Sequence, residues 1–241
     1  MKRLILAVVF IGLNTLIIRS EPVMVTGKVI NGRGLTIRLM TYSDQVTYLR
    51  RTLQSCLIDE NEQFILNTDI DSVKYCWLDI EFQQAELILQ PGQSYEIEID
   101  LQNGSLSASY FDRSGLTYRI IKDDEDHLNL SIQEFNQLYN EFLLNISQKG
   151  RAGSSRTAYD DFTKAIELRF QNAKNPWFIN YLKYKNASMQ LFMRLKSREN
   201  IGLENITGQP VLYDHIEYMD FFHLYFEKYF LTSNKYFNYE Q

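Results

Sequence analysis

Three histidines, two cysteines and four prolines in 241 residues are low counts, and each shortage removes a class of chemistry. The cysteines, Cys56 and Cys76, form no Cys-x-x-Cys, so neither is half of a catalytic dithiol. No His-Glu-x-x-His occurs, and no Gly-x-Ser-x-Gly nucleophile elbow. The glycine-bearing loops Gly32-Arg33-Gly34 and Gly150-Arg151-Ala152-Gly153-Ser154 lack the Lys-Ser/Thr that completes a phosphate-binding motif. A basic excess is missing too. Lys+Arg number 25 against 30 Asp+Glu, and a net charge of −5 with no basic cluster disfavours nucleic acid. With only 11 Gly beside the 4 Pro, the chain is not rich in linkers, and there is no repeat or low-complexity tract.

What is present begins with a targeting segment. Met1-Lys2-Arg3 is a short positive start, Leu4 to Ile18 is an apolar run, and Arg19-Ser20-Glu21-Pro22 breaks it. Residues 1–20 read as a cleavable secretory signal, with a signal anchor as the rival on a run short for spanning a bilayer. No cysteine follows the run, so lipoprotein processing is not supported. Cleavage removes three basic residues and no acidic one, and −5 becomes −8. The expected location is the periplasm or the extracellular side of the cell envelope, with no stable membrane span after cleavage.

An exported chain meets an oxidising compartment, which permits a disulfide between Cys56 and Cys76. With nineteen residues between them, closure contributes about 3 kcal/mol in the chain-entropy model. The alternative is two small apolar side chains that never meet.

The densest pattern lies in the middle. Cys76, Leu78, Ile80 and Phe82 alternate with Trp77, Asp79 and Glu81, while Tyr95, Ile97 and Ile99 alternate with Glu96, Glu98 and Asp100. Period-two alternation places one face on a core and one in water, as in an antiparallel sheet. Val23–Ile30 and Leu35–Thr41 read as a hairpin about Asn31-Gly32-Arg33-Gly34. Gln45–Ile58, Phe64–Leu66 and Ala85–Gln90 extend the series, and Pro91-Gly92 turns into Ser94–Asp100. Ser105–Phe111 and Leu116–Ile121 complete an antiparallel β-sandwich-like domain over residues 21–122.

At Lys122-Asp123-Asp124-Glu125-Asp126 the period changes, and the acidic run is a linker or a helix start, where carboxylates complement the dipole. Leu128, Ile132, Phe135, Leu138, Phe142 and Ile146 share one helical stripe, ending at Lys149-Gly150. Gly150–Ser155 reads as a loop, and Tyr159, Phe162, Ile166 and Phe170 mark a second helix. Asn175-Pro176 starts a third, Trp177 to about Leu195, as cap and first-turn proline. A fourth runs from about Asp214 to Leu231. Residues 123–241 therefore form an α-helical bundle, and the fold class is α+β.

Three groups of side chains stand out as candidate sites. The last helix carries more aromatics than one packing face needs, so a second packing partner is expected, either the β-domain or another protein, for which Phe221, Phe222, Tyr225, Phe226 and Tyr229 are the candidate anchors. Tyr75 and Trp77, opposite the core face of their strand, form a ligand platform or pack beneath a helix. Asp220, His223 and Glu227 share a stripe that can reach a metal ion, but no second element supplies ligands, so a solvated face is the expected reading.

Several stretches carry a family resemblance. VTGKVING at Val25, CLIDENEQFIL at Cys56, YCWLDIEF at Tyr75 and LILQPGQSYEIEID at Leu87 resemble the β-rich N-terminal domain of secreted TlpA/ResA-type thiol-disulfide oxidoreductases of Gram-negative bacteria. NPWFINYLKYKNAS at Asn175 and YMDFFHLYFEKYF at Tyr218 look like the helical segment that joins that domain to a thioredoxin domain. In such proteins the chemistry sits in the thioredoxin domain, and this chain stops at Gln241, where that domain would begin. The resemblance therefore implies no catalytic residue, no cofactor and no metal here. It implies a non-catalytic exported interaction module that positions a redox domain or client, with a protein partner such as a thioredoxin-fold domain in the envelope. The alternative is a periplasmic β-domain that binds a glycan or small molecule.

Overall fold

A computed structural model describes residues 20–81, 83–101, 116–149 and 152–227. The signal segment, Phe82, the strand expected over Ser105–Phe111 and Tyr229 lie outside the described residues. The fold is α+β. Among the described residues eight strands come first: β1 (Glu21–Ile30), β2 (Thr36–Asp44), β3 (Leu49–Leu57), β4 (Gln63–Ile70), β5 (Lys74–Ile80), β6 (Gln83–Leu89), β7 (Ser94–Asp100) and β8 (Thr117–Lys122). Five described helices follow: α1 (Leu128–Lys149), α2 (Ala152–Arg169), α3 (Pro176–Phe192), α4 (Arg198–Asn205) and α5 (Ile216–Phe226). No helix among the described residues is long and apolar enough to cross a membrane.

The strands form two four-stranded sheets, in the orders β4-β1-β7-β8 and β3-β2-β5-β6. Alternation identifies the buried faces correctly. Val23, Val25 and Val29 of β1, Cys76, Leu78 and Ile80 of β5, and Tyr95, Ile97 and Ile99 of β7 all enter one apolar core shared by both sheets. The neighbours are another matter. β1 pairs with β4 and β7, not with β2, so the hairpin expected about Asn31–Gly34 is corrected: the turn carries the chain from one sheet to the other. It bends through positive φ values, 66° at Asn31 and 75° at Gly34. The Pro91-Gly92 turn likewise crosses between sheets.

A wholly antiparallel domain is also corrected, because β1 and β7 run parallel with Gly27 opposite Ile97. Alternation reports which face of a strand is buried and says nothing about the direction of its neighbour. Gly27 is required at that pairing: a Cβ there would lie 1.8 Å from the carbonyl oxygen of Ile97.

Two helix boundaries differ from expectation. α2 begins at Ala152, inside the expected loop, and α4 was not foreseen. At eight residues, α4 is too short to show a period; Ser197 caps it, and Ile201 buries completely. Asn175 does cap α3 as read, its Oδ1 accepting from the Trp177 and Phe178 amides at 2.9 and 3.2 Å.

The acidic run is a helix start. Asp124 Oδ1 accepts from the Leu128 amide at 3.0 Å and Asp123 Oδ2 from the Leu130 amide at 2.8 Å. One residue further in, Asn129 binds both backbone groups of Ile88 on the outer edge of β6. At the far side of the same sheet, the turn between β2 and β3 meets α5. Tyr48 donates to Asp220 at 2.6 Å, and the Gln45 side chain donates to the Asp214 carbonyl at 3.1 Å. The helices are thus fastened to the second sheet at both its edges.

Candidate functional site

Between these two attachments lies a cleft. It is lined by the outward face of β5 and β6, by Tyr118 of β8, and by α1, α3 and α5. Because Cys76, Leu78 and Ile80 point into the sheet core, Tyr75 and Trp77 point toward the helices. Trp77 is only 2% exposed, beneath Tyr42 (ring centroids 4.8 Å apart), with the Arg50 guanidinium 5.6 Å from its ring. Of the two readings of Tyr75 and Trp77, Trp77 therefore takes packing and not a ligand platform, though beneath Tyr42 of β2 and not beneath a helix. Tyr75 keeps a place on the cleft wall, where its hydroxyl donates to Glu86 at 2.7 Å. Burial, and then the charge of Glu86, hold that phenol protonated.

The cleft encloses about 180 Å³. Deep inside it Lys185 of α3 and Glu217 of α5 form an ion pair at 2.8 Å, with side chains 23% and 8% exposed. Burial opposes both charges. For Lys185 the contact with Glu217 outweighs burial and holds the ammonium above its ordinary value. For Glu217, the more deeply buried, burial prevails and lifts the carboxyl above the usual range, with Lys185 offsetting only part. The lysine nitrogen also lies 5.6 Å from the Tyr139 ring and 5.7 Å from the Tyr181 ring. Tyr181 donates to Asn136 at 2.7 Å, and Tyr118 donates to the Glu86 carbonyl at 2.6 Å. Glu86 and Asp220, both exposed, stand at the rim.

None of Lys185, Glu217 and Asn136 was legible as a site residue. The one available signal was an acid in the first turn of an aromatic helix, facing a lysine on a helix apolar on more than one side.

Beside the cleft, His215 caps α5. Its Nδ1 accepts from the Tyr218 amide at 3.4 Å, and its Nε2–H donates to the Trp177 carbonyl at 3.0 Å. The ring stacks on Trp177 at 4.3 Å. Accepting at Nδ1 requires the neutral imidazole with its proton on Nε2, and burial pulls its pKa down to about 4.

The aromatic anchors are corrected in part. Phe221 is fully buried and Tyr225 is 8% exposed, both packed with Tyr184, Ala187 and Ile201 of α3 and α4. Phe222 and Phe226 are half-buried against that cluster. Among the described residues most of the surplus of aromatics serves contacts inside the chain, because α5 is covered by α3 and α4 on one side and by the β2–β3 turn on the other.

Asp220 and His223 face that turn: Asp220 receives the Tyr48 hydroxyl, and the His223 ring lies 4.9 Å from the Tyr48 ring. Among the described residues no group of three His, Cys, Asp or Glu could hold a metal ion. Cys56 and Cys76 are free thiols, so the disulfide left open by the sequence is not made. They flank β2 on opposite sides, opposite Ile37 and Thr41, which separates them by roughly 16 Å at ordinary strand spacings.

No protein-family model matches this sequence, and no curated protein matches it.

Proposed function

We propose that the chain is an exported, non-catalytic interaction module of the cell envelope that positions a redox domain or its client. In this reading the two sheets are a β-sandwich-like body and the helices a bundle that presents the contact surface. The observation that carries it is Phe192. This aromatic closes α3 yet is 74% exposed. α3 and α5 run in the same direction, with Trp177 against His215 near their starts and Tyr184 against Phe221 further along. Both helices therefore end on one side of the helical part, where Phe226 is half-buried. An exposed aromatic on the same side as a half-buried one suits an interface centre.

The fastening at both edges of the second sheet supports a rigid presenting scaffold. A photo-crosslinking side chain at position 192 of the exported protein should capture a thioredoxin-fold partner, and one at exposed Leu168 on α2 should not. Equal capture at both positions, or none at 192, overturns the reading.

A second reading, binding of a small molecule, is favoured by the polar cavity of about 180 Å³ and no longer by a tryptophan platform. Its test is calorimetric titration of the cavity with small ligands.

A further inference from the structure

Resting on that second reading, we propose that the cleft takes a small organic cation: a guanidinium or primary ammonium group, borne by a free molecule or by an arginine or lysine side chain. A volume of about 180 Å³ holds such a group with a short stem and is too small for an oligosaccharide. At the floor, Lys185 and Glu217 cancel one another at 2.8 Å. At the rim, Glu86 and Asp220 have no such partner among the described residues. Each accepts one phenolic hydrogen bond, from Tyr75 at 2.7 Å and from Tyr48 at 2.6 Å, which uses a fraction of a carboxylate's acceptor capacity. The cleft lining therefore carries two uncompensated negative charges.

The walls suit the same ligand. Tyr75, Tyr118 and Tyr181 line the cavity, and aromatic faces attract cations. The chain shows this chemistry in place, since the Lys185 ammonium already lies within 6 Å of two tyrosine rings. Beyond burial, the same carboxylates raise the neighbouring phenols: Glu86 and Asp220 act on Tyr75, Glu217 and Glu86 on Tyr181, as a negative field does. An anion would meet the rim carboxylates unfavourably, and a neutral polyol would gain nothing from the two free charges.

The test is isothermal titration of the full exported chain, at low ionic strength, with three probes. These are ethylguanidinium, a blocked Gly-Arg-Gly peptide, and ethylurea as the neutral isostere. At least one cationic probe should bind at least about tenfold more tightly than ethylurea. The double variant Glu86→Gln/Asp220→Asn, whose amide oxygens still receive the two tyrosine hydroxyls, should weaken that binding about tenfold while the thermal midpoint holds. Tighter binding of ethylguanidinium than of the peptide identifies a free molecule as the source, and the reverse order a protein side chain. Binding of ethylurea as tight as that of the cations overturns the cationic class and leaves the cavity reading standing. Unchanged affinity in the double variant overturns the proposed site, and heat from none of the three probes overturns both.

Discussion

Asn129 holds Ile88 by both of its backbone groups, accepting from the amide at 2.7 Å and donating to the carbonyl at 2.9 Å. One amide side chain thus stands in for a neighbouring strand along the outer edge of β6, and it does so from the first turn of α1. Its nitrogen donates a second time, to Asp123 at 2.8 Å.

Removing that amide should loosen the seam. Asn129 is 4% exposed, so Asn129→Ala strands the Ile88 amide and carbonyl away from water and leaves Asp123 short of a donor. The expected loss is about 2–4 kcal/mol, read as a lower urea midpoint with an unchanged slope. A loss under about 0.5 kcal/mol would show that the edge is satisfied by other means.

Acid should destabilise the protein through His215. Its folded pKa of about 4 lies below the ordinary 6.5, so the unfolded chain binds its proton first as pH falls. Stability therefore declines between about pH 6.5 and 4, by about 3 kcal/mol at most for this one group. His215→Asn keeps a capping oxygen and cannot titrate, so its urea midpoint should be flatter over that window than the parent's. Parallel curves for the two proteins would remove His215 as the cause.

The buried ion pair should behave as a unit. Lys185→Met leaves Glu217 charged and without its partner, and is expected to cost about 3–5 kcal/mol at neutral pH. Adding Glu217→Gln should recover most of that loss, which a double-mutant cycle measures. In the single variant Glu217, already raised by burial, loses the lysine that opposed the rise. Its folded pKa is then further above the unfolded value, so that variant should regain stability as pH falls. Additive losses in the cycle would mean that the two side chains do not interact.

Both thiols should be titratable, and unequally. Burial pushes the Cys76 thiol up to about 12 and also raises Cys56, which is only partly buried. Ellman's reagent should label Cys56 slowly in the native protein and reach Cys76 only on unfolding, for two thiols per chain. Fewer than two in the unfolded, unreduced protein would restore the disulfide.

Much of the secondary structure was legible because its causes are local. The alternation of Cys76, Leu78 and Ile80 named the core face of β5. Asn175-Pro176 announced α3, whereas the acids at 123 and 124 fitted a linker as well as the start of α1. The aromatic run of α5 was read as a surplus awaiting a partner. Phe221 and Tyr225 show that most of it is consumed by α3 and α4, which a helical period counted along one segment does not reveal. α4 left no pattern at all, since eight residues with one fully buried apolar position carry too little signal.

The residues by themselves determined which faces are apolar and where several helices start, since those depend on side chains within a turn or two of one another. Which strands adjoin, that β1 and β7 run parallel, and that a cleft exists were decided only when the chain closed on itself. Asn129 and Ile88 are 41 positions apart and Tyr48 and Asp220 are 172 apart, and no local pattern encodes such pairings. The energy that selects them comes from burying two sheets on one core and satisfying the edges that remain.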